Sequence, residues 1–410
     1  MNEAFAKKLA QDIAELRRAG TYKTLRHLTS PMDSQVTMEE AGDVIVLSSN
    51  NYLGLAHNPR VVQAGMDGLK RYGAGSASVR FICGTFDVHR TLETHIARFV
   101  GMQSALTYVS CWNANTGLIP TIAGAGSALL SDELNHASII DGCRMATQAQ
   151  RLRYKHSDMQ DLEEKLSALP PEMPKFIITD GVFSMEGDLA ELPAIAALAE
   201  SYNAVTIVDD SHGTGVMGQA GRGTIEHFGL QGRIDVITGT LGKALGGAAG
   251  GFVAGSAALI ETLIQKSRPQ LFSNALPPTV ACSALAALEE LEEHPELLER
   301  QRANIGYFRR RLNEIGYSPI PGESAIIPIV VGETAFAISV SDKLLTEGIF
   351  VTGFGYPVVP EGSARIRVQM SSALTRAQLD RALAAFERVG REAGLLATAG
   401  GRSQAPALER

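Results

Sequence analysis

The sequence predicts an α/β protein with a mostly parallel sheet in a large domain, followed by a smaller α+β domain. Short β-rich runs alternate with helical segments from about residue 104, several of these runs end in polar residues, and the pattern changes after residue 279. Alternation of this kind is typical of a parallel sheet that helices cover on both faces. At 410 residues the chain is also longer than one hydrophobic core usually serves.

Seven runs have the length and the β-rich composition of buried strands. Segments such as LPAIAALAESY lie between them, with apolar residues three and four positions apart, as in helices that pack on a core. The predicted strands are SALTYVS (104–110), SALLSD (127–132), RLRYKH (151–156), KFIITDGV (175–182), AVTIVDDS (204–211), VITGTL (236–241) and GGFVAG (250–255). We therefore expect a seven-stranded sheet.

Polar residues close five of these predicted strands. They are Ser110, Asp132, Asp180, Asp209 and Thr240. In an open α/β sheet, ligands bind at the carboxyl ends of the strands. Each residue alone is explained as ordinary chain punctuation, but five together predict a ligand crevice at this edge of the sheet.

The last third of the chain has a different character. A helical stretch rich in Leu, Glu and Arg runs from about 279 to 315, and three β-rich runs follow with helical segments at about 335–348 and 375–394. The predicted organisation is an N-terminal helix and extended segment (1–50), a large α/β domain (51–290), a small α+β domain (291–395) and a disordered tail (396–410).

Charge and composition exclude several classes of function. The net charge of −7 and the lack of a Lys/Arg block argue against a nucleic-acid partner. The N-terminal stretch has Phe5, Leu9, Ile13 and Leu16 at helical spacing among charges, which predicts an amphipathic helix and not a signal peptide. No apolar run is long enough to cross a membrane, and the four cysteines have no paired spacing. These features predict a cytoplasmic protein without a membrane partner.

The stretch TGTLGKALGGAAGG (238–251) holds a single lysine, Lys243, among small residues. It is not the lysine of a phosphate-binding P-loop, because Ile237 and Ala244 stand where that motif requires Gly and Ser or Thr. The run GTGVMG (213–218) matches a dinucleotide fingerprint, but Gly221 and Gly223 interrupt the helix that the fingerprint must open. A reactive amine is the interpretation that remains.

A lysine in a confined site can form a Schiff base with an aldehyde, and pyridoxal phosphate (PLP) is the cofactor that uses such a lysine. PLP also needs a carboxylate for its pyridine nitrogen, phosphate donors, and a flat group over its ring. Asp209 or Asp210 can supply the first, Thr240 the second, and His136 the third. His212 follows the acidic pair.

The same polar residues also leave a metal site open. Carboxylates and imidazoles are common ligands of metals. The alternative set, which predicts a metal-dependent hydrolase, is Asp132, His136, Asp209, Asp210 and His212. The glycine-flanked lysine on the next predicted strand favours PLP.

The motifs, taken in order, resemble those of the α-oxoamine synthases, a family of fold-type I PLP enzymes. They are SSNNYLGLAHNP, GAGSASVRFICGT, SDELNHASIIDG, TDGVFSMEGD, VDDSHGTG, TGTLGKALGG and ARIRVQMSSALT. The resemblance covers nearly the whole chain and implies an aspartate aminotransferase-like large domain. It further implies a PLP-dependent acyltransferase that condenses an amino acid, glycine foremost, with an acyl-CoA, acetyl-CoA foremost, to give 2-amino-3-oxobutanoate and CoA.

The resemblance also implies a role for individual residues. Lys243 would be the Schiff-base lysine and general base, Asp209 would pair with the pyridine nitrogen, His212 with the phenolic oxygen, and His136 would stack on the ring. Further cofactor contacts would come from the backbone of Cys111 and Trp112, from Ser184 and Thr240, and from Ser273 and Asn274 of a second subunit in a homodimer. Asn50, His136 and Arg367 would bind substrate, and no metal is implied.

Three positions qualify this picture. Arg365 and Arg367 alternate on one predicted strand and therefore share a face, so Arg365 is the alternative carboxylate ligand or else a surface ion pair. Leu374 stands where the family usually has histidine, and Trp112 where Phe or Tyr is usual. Leu374 leaves open a different amino acid or acyl donor, as in 8-amino-7-oxononanoate or sphingoid-base synthesis, or an acyl carrier protein.

Overall fold

The computed structural model describes residues 1–396, so the predicted tail lies outside the described residues apart from Leu396. The helices are α1 (Glu3–Arg18), α2 (Pro59–Tyr72), α3 (Asp87–Val100), α4 (Cys111–Ile122), α5 (Ala137–Met145), α6 (Met159–Ser167), α7 (Leu192–Tyr202), α8 (Thr224–His227), α9 (Ala257–Lys266), α10 (Arg268–Phe272), α11 (Pro278–Glu293), α12 (Glu296–Ile315), α13 (Thr334–Thr346) and α14 (Arg376–Glu392). None of these described helices combines the length and the apolar character that a membrane span requires.

The strands are short and most of them are buried. They are β1 (Gln35–Met38), β2 (Gly42–Val46), β3 (Ser104–Tyr108), β4 (Ala128–Asp132), β5 (Gln150–Tyr154), β6 (Lys175–Asp180), β7 (Ala204–Asp209), β8 (Val236–Thr240), β9 (Gly251–Gly255), β10 (Ile326–Gly332), β11 (Ile349–Phe350), β12 (Thr352–Phe354) and β13 (Ala364–Gln369). Each of the seven predicted strands of the large sheet corresponds to one strand from β3 to β9.

The chain divides into two compact units. The large unit comprises Asn50–Ser184 and Asp188–Arg300, and the small unit comprises Met1–Ser49, Met185–Gly187 and the residues from Gln301 onward. The large unit contains the seven-stranded sheet, whose strand order is β3-β9-β8-β7-β6-β4-β5. Strand β9 runs antiparallel to β3 and β8, and the other pairs are parallel. The predicted α/β class and the mostly parallel sheet are confirmed.

The register of the sheet sets the polar strand ends side by side. Asp180 at the end of β6 pairs with Asp209 at the end of β7, and Asp209 pairs with Thr238 of β8. Apolar side chains from α4, α5 and α9 pack on the sheet and form a buried core that includes Leu118, Ile139 and Leu263. The strand ends are therefore held by a packed scaffold and not by loops alone.

The small unit contains two three-stranded sheets, with orders β1-β2-β11 and β10-β13-β12. Strand β13 pairs antiparallel with both β10 and β12. The helical stretch predicted from about 279 to 315 is wrong in one respect. It is two helices, because Pro295 lacks the N–H that would continue α11 into α12. Helix α1 forms as predicted, and none of its residues is buried.

Candidate active site

Lys243 follows β8 by three residues in a turn built from glycine and alanine. Gly246 and Gly247 have φ values of +94° and +67°, a backbone conformation that glycine adopts without strain. The turn places Nζ of Lys243 2.7 Å from Nε2 of His212, which follows β7 by three residues. His212 is buried and Lys243 is half-buried. Two residues on neighbouring strand ends thus share a short nitrogen–nitrogen contact.

The Asp209 carboxylate is 3% exposed and accepts hydrogen bonds from several groups of the large unit. The amide Nδ2 of Asn115 donates to Oδ2 at 2.5 Å, and the backbone N–H of Ser211 donates to Oδ1 at 3.0 Å. The thiol of Cys111 lies 3.6 Å from Oδ2. Burial, followed by the charge of Asp209, raises the pKa of this thiol well above its ordinary value, so it is a donor to the carboxylate.

The neighbouring Asp210 faces another way. Its carboxylate accepts from the hydroxyls of Thr224 at 2.7 Å and Thr214 at 3.0 Å, and from the backbone N–H of Thr224. Burial raises the pKa of Asp210 to about 7, against the lowering effect of the threonine hydrogen bonds. The sequence leaves Asp209 and Asp210 open as the carboxylate for the pyridine nitrogen. In the structure, Asp210 hydrogen-bonds within the loop after β7, and Asp209 lies beside Asn115 and Cys111.

The N-terminus of α4 adjoins the end of β9. The Ser110 side chain caps the helix by accepting from the backbone N–H of Asn113. A Cβ on Gly251 would lie 2.2 Å from the backbone nitrogen of Cys111, so only glycine permits this close approach. The hydroxyl of Thr240 accepts from the N–H of Gly242 at 3.1 Å. The first N–H groups of a helix lack partners within the helix and form an anion-binding site.

His136 precedes α5 and is accessible to solvent. Its ring makes an edge-to-face contact with Trp112, with centroids 6.0 Å apart. Its Nδ1 lies 2.8 Å from the hydroxyl of Ser138, which in turn accepts from Asn115 at 2.9 Å. Surrounding protein atoms lower the pKa of the His136 imidazole, while the charge of Asp209 raises it and that of Lys243 lowers it. The lowered pKa favours the neutral imidazole.

Asp180 completes the row of acidic groups at the strand ends. Its Oδ2 accepts from the backbone N–H of His136 at 2.7 Å. Burial, and then the adjacent charge of Asp209, raises the pKa of Asp180 well above its ordinary value. The raised pKa favours the neutral form of Asp180 beside Asp209.

The remaining residues of the predicted site are distributed over the two units. In the large unit, Ser184 is half-buried in the loop after β6, Asn50 is half-buried before α2, and Asn274 forms a bridge with Val79 directly after Ser273. In the small unit, Arg367 is 7% exposed on β13, with its guanidinium 4.7 Å from the centre of the Phe354 ring.

Two positions in the small unit bear on the sequence predictions. Arg365 forms an ion pair with Glu186 at 3.0 Å, and both side chains are mostly buried, so of its two alternatives the ion pair forms, but not at the surface. The reason is that β13 is the central strand of its sheet. Leu374, where the family usually has histidine, is 4% exposed, and its carbonyl accepts from Asn304.

Sequence reasoning missed Tyr52, Asn115 and Ser138. The hydroxyl of Tyr52 lies 2.8 Å from Nδ1 of His212, and Asn115 links Asp209 to Ser138. Tyr52 belongs to SSNNYLGLAHNP, a motif already singled out, so the motif was the available signal. Asn115 and Ser138 follow the polar strand ends by a few residues, and no pattern in the sequence marks them.

The structure does not gather the five residues of the metal alternative around one point. Asp132 binds His156, and Asp210 binds two threonines. Among residues 1–396, the group of three side chains with close metal-ligand atoms is His27, Glu39 and Glu40, all exposed in the small unit.

His156 bridges two carboxylates beside the site. Its Nδ1 lies 3.1 Å from Asp132 at the end of β4, and its Nε2 lies 2.9 Å from Asp188 in the loop after β6. The ring also makes an edge-to-face contact with Phe183 at 4.4 Å. Burial alone lowers the pKa of His156, but hydrogen bonds to Asp132 and Asp188 outweigh it and raise the pKa to about 10.

Replacing His156 with Gln is expected to destabilise the protein most at low pH. Because the folded pKa of about 10 exceeds the unfolded value of about 6.5, the stabilisation is complete below about pH 6.5 and is lost as pH rises through about 10. The expected loss below pH 6.5 is about 3 kcal/mol, as for one broken buried ion pair. Urea unfolding of both proteins across this range measures it. A difference in unfolding free energy between the two proteins that stays constant with pH would contradict the ion pairs of His156 with Asp132 and Asp188.

The chain is similar to known proteins over nearly its whole length. The sequence profile described as aminotransferase class I and II matches residues 42–386. The chain is 45% identical to 2-amino-3-ketobutyrate coenzyme A ligase of Escherichia coli K12, over 97% of this chain and 100% of that protein. It is 48% identical to 8-amino-7-oxononanoate synthase of Symbiobacterium thermophilum, over 95% of this chain and 98% of that one. Serine palmitoyltransferase of Sphingomonas wittichii superposes with a TM-score of 0.91 at 29% identity, covering 96% and 99% of the two chains.

Fold and site together define a PLP-dependent transferase of fold type I. The resemblance seen in the motifs is confirmed over nearly the whole chain. The chain belongs to the aminotransferase class I and II family and, within it, to the α-oxoamine synthases.

The donor set fits PLP group by group. The sheet edge offers an amine on Lys243, a buried carboxylate on Asp209, an imidazole ring on His136, and the N-terminus of α4 held close by Gly251. These match an aldehyde, a pyridinium nitrogen, an aromatic face and a phosphate, respectively. No other described part of the sheet edge combines these groups.

Proposed function

We propose that this protein acts as a glycine C-acetyltransferase, which condenses glycine with acetyl-CoA. The observation that carries the proposal is the contact of Lys243 with His212 next to the buried Asp209, in a chain with 45% identity to 2-amino-3-ketobutyrate coenzyme A ligases over nearly its full length. Removal of a proton from Cα of the amino acid requires a reactive amine as the base, and the neighbouring imidazole and the buried carboxylate can hold the cofactor beside it.

The atoms balance without any further reactant. Glycine loses one proton from Cα, a bond forms between Cα and the carbonyl carbon of acetyl-CoA, and the carbon–sulfur bond breaks. The CoA sulfur leaves with the electron pair and takes up a proton. The products are 2-amino-3-oxobutanoate and CoA.

The residues of the large unit divide this work. When bound, PLP supplies an electron sink that makes the Cα proton of the amino acid acidic. Lys243 takes that proton, and Asp209 holds a proton on the pyridine nitrogen because Asn115 and the Ser211 N–H keep its carboxylate in place. His212 stands next to Lys243 and faces the phenolic oxygen in this proposal. The N–H groups of Cys111 and Trp112 and the hydroxyl of Thr240 would hold the phosphate, His136 would stack on the ring, and Ser184 would add a contact.

Arg367 and Asn50 remain our proposed ligands of the substrate. A guanidinium binds a carboxylate through two parallel hydrogen bonds, which a single ammonium cannot match. Arg365 is already paired with Glu186, and this pairing favours Arg367 as the carboxylate ligand. The buried Leu374 puts an apolar side chain where the family usually has an imidazole, so we expect the substrate surroundings there to be less polar.

The proposal includes a homodimer with shared active sites. Phe81, Ile82 and Phe272 are 63%, 68% and 70% exposed. The bridge between Val79 and Asn274 brings the two segments that carry them together. Exposed apolar patches of this kind mark protein interfaces, and a partner that covers this one would receive Ser273 and Asn274. Sedimentation at the mass of one 43.7 kDa chain would contradict the pair.

A cytoplasmic location belongs to the same proposal. Cys83, Cys111, Cys143 and Cys282, all within the described residues, are free thiols. Disulfides are rare in reducing compartments, so four free thiols in one chain favour that environment. Fractionation of cells that produce the protein tests the location.

A second candidate function has its own support. The 48% identity to the 8-amino-7-oxononanoate synthase of Symbiobacterium thermophilum exceeds the identity to the ligase of Escherichia coli. That name implies a different amino acid and acyl donor on the same chemistry. Sphingoid-base synthesis or an acyl carrier protein as donor are further variants of the same reaction class.

Release of free thiol from acetyl-CoA by the PLP-loaded protein, with and without glycine, tests the proposal. Thiol release that requires glycine supports it, and mass spectrometry of the product identifies 2-amino-3-oxobutanoate. Release that occurs only with another amino acid or with a longer acyl-CoA would replace glycine acetyl transfer with the second candidate. A colourless protein with bound zinc would overturn both in favour of the metal-dependent hydrolase.

A further inference from the structure

A line of polar contacts runs from Lys243 to the start of the large unit. Nζ of Lys243 lies 2.7 Å from Nε2 of His212, and Nδ1 of His212 lies 2.8 Å from the hydroxyl of Tyr52. The Tyr52 hydroxyl also lies 3.5 Å from Oδ1 of Asn50. Tyr52 is 1% exposed and His212 7%, so bulk water does not compete freely for these groups. The two rings meet edge to face, 6.0 Å apart.

One proton on the Tyr52 hydroxyl can serve only one of its two acceptors. If the hydroxyl donates to Nδ1, the neutral imidazole carries its proton on Nε2 and donates it to an uncharged Lys243 amine. If the hydroxyl donates to Asn50, Nδ1 carries the proton, and Nε2 accepts from a Lys243 ammonium. The two arrangements differ in the charge of Lys243. The contact to Nδ1, at 2.8 Å, is shorter than the contact to Asn50, at 3.5 Å. When Tyr52 donates along the shorter contact, the arrangement is the one with the uncharged amine.

We propose that Tyr52 is a positioning residue that places the proton of His212 on Nε2 and thereby keeps the Lys243 amine uncharged. The proposal rests on the proposed function, since it assigns Tyr52 a task at the same lysine. An uncharged amine is the form that reacts with an aldehyde and that accepts a proton from Cα. Asn50 competes with Nδ1 of His212 for the Tyr52 proton. This competition determines how strongly Tyr52 favours the uncharged amine.

Other groups at the sheet edge act on the same equilibrium. The charge of Asp209 at the end of β7 favours the ammonium form of Lys243, and Asp180 at the end of β6 does so only when ionised. His136 before α5 and Cys111 at the start of α4 also interact electrostatically with Lys243. Tyr52 therefore favours the uncharged amine of Lys243, and Asp209 favours the ammonium form. When the Tyr52 hydroxyl is removed, we expect the effect of Asp209 to dominate and the ammonium form to be favoured.

The test is the rate at which full-length protein, freed of PLP, takes up added PLP as a function of pH, followed by visible absorbance. In Tyr52→Phe, the midpoint of this profile is expected to move to higher pH by about half a unit to one unit, the scale of one hydrogen bond to a titrating pair. Glycine-dependent thiol release by the loaded variant is expected to fall roughly fivefold to tenfold.

Tyr317→Phe is the matched control. Its hydroxyl is also buried and donates to the carbonyl of Phe386 in the small unit, so the variant loses one tyrosine hydrogen bond away from Lys243. Neither the uptake profile nor thiol release is expected to change. A Tyr52→Phe profile that coincides with that of the unaltered protein would overturn the inference.

A second variant keeps the inference testable if Tyr52→Phe does not fold. Asn50→Ala removes the competing acceptor, so the Tyr52 hydroxyl donates to Nδ1 more often and the uptake profile is expected to move to lower pH. A shift to higher pH, or none, overturns the role of Tyr52. If the unaltered protein takes up PLP with the expected profile but never releases thiol with glycine, the proposed function fails and the role of Tyr52 does not.

Discussion

Lys243→Ala is expected to lower glycine-dependent thiol release by at least about a thousandfold, because it removes both the group that bonds the cofactor and the base that takes the Cα proton. The fold should survive, since the Lys243 side chain is only half-buried and its turn is set by glycines. Thermal unfolding checks the fold, and the visible absorbance of the PLP-loaded protein checks the bond. The variant should bind PLP weakly and give a spectrum that resembles free PLP.

Two control variants separate charge from chemistry at Lys243. Lys243→Arg keeps a cation near His212 but provides no amine that can react with an aldehyde, so it should be as inactive as Lys243→Ala. Lys266→Ala removes an exposed lysine at the end of α9 and should leave thiol release unchanged. Activity in Lys243→Arg within about tenfold of the unaltered protein would show that Lys243 acts only as a cation and would refute its role as nucleophile and base.

The sequence predicted the scaffold of this site well, since local patterns determine where strands β3 to β9 lie. A strand of five or six residues with a polar end is visible without any partner, and so is the glycine-flanked lysine after β8. The side-chain contacts of these groups are a different matter. His212 meets Tyr52 across 160 positions, and Asp209 meets Asn115 across 94. Such contacts depend on strand order, which pattern does not reveal.

Two positions departed from local expectation for different physical reasons. The sequence predicts Arg365 as either a carboxylate ligand or a surface ion pair, but β13 is the central strand of its sheet and Glu186 supplies a buried partner. The helix predicted from about 279 to 315 is broken at Pro295, although its Leu and Glu spacing continues on both sides. In the first case tertiary pairing overrides a local preference, and in the second a missing N–H overrides a periodic pattern.

Asp209→Asn is expected to reduce thiol release by roughly a hundredfold to a thousandfold, as when one preorganised electrostatic group is removed from an active site. Asparagine has the same shape but no charge to hold a proton on the pyridine nitrogen. In the unaltered protein, Nδ2 of Asn115 donates to the Asp209 carboxylate at 2.5 Å. In the variant, the new side-chain amide would face this donor. Steady-state thiol release and PLP titration measure the two effects, and the variant should remain folded.

Asp210→Asn is the matched control, because the two aspartates are adjacent and both are buried. The carboxylate of Asp210 accepts from groups of Thr214 and Thr224 in the loop after β7. Its replacement should cost about 2 kcal/mol of unfolding free energy, since one acceptor becomes a donor that faces donors. Thiol release by the folded variant should stay within about tenfold of normal. Asp209→Asn is thus expected to lower thiol release, and Asp210→Asn to lower the free energy of unfolding. If Asp210→Asn were instead the variant that loses thiol release, Asp210 and not Asp209 would pair with the pyridine nitrogen.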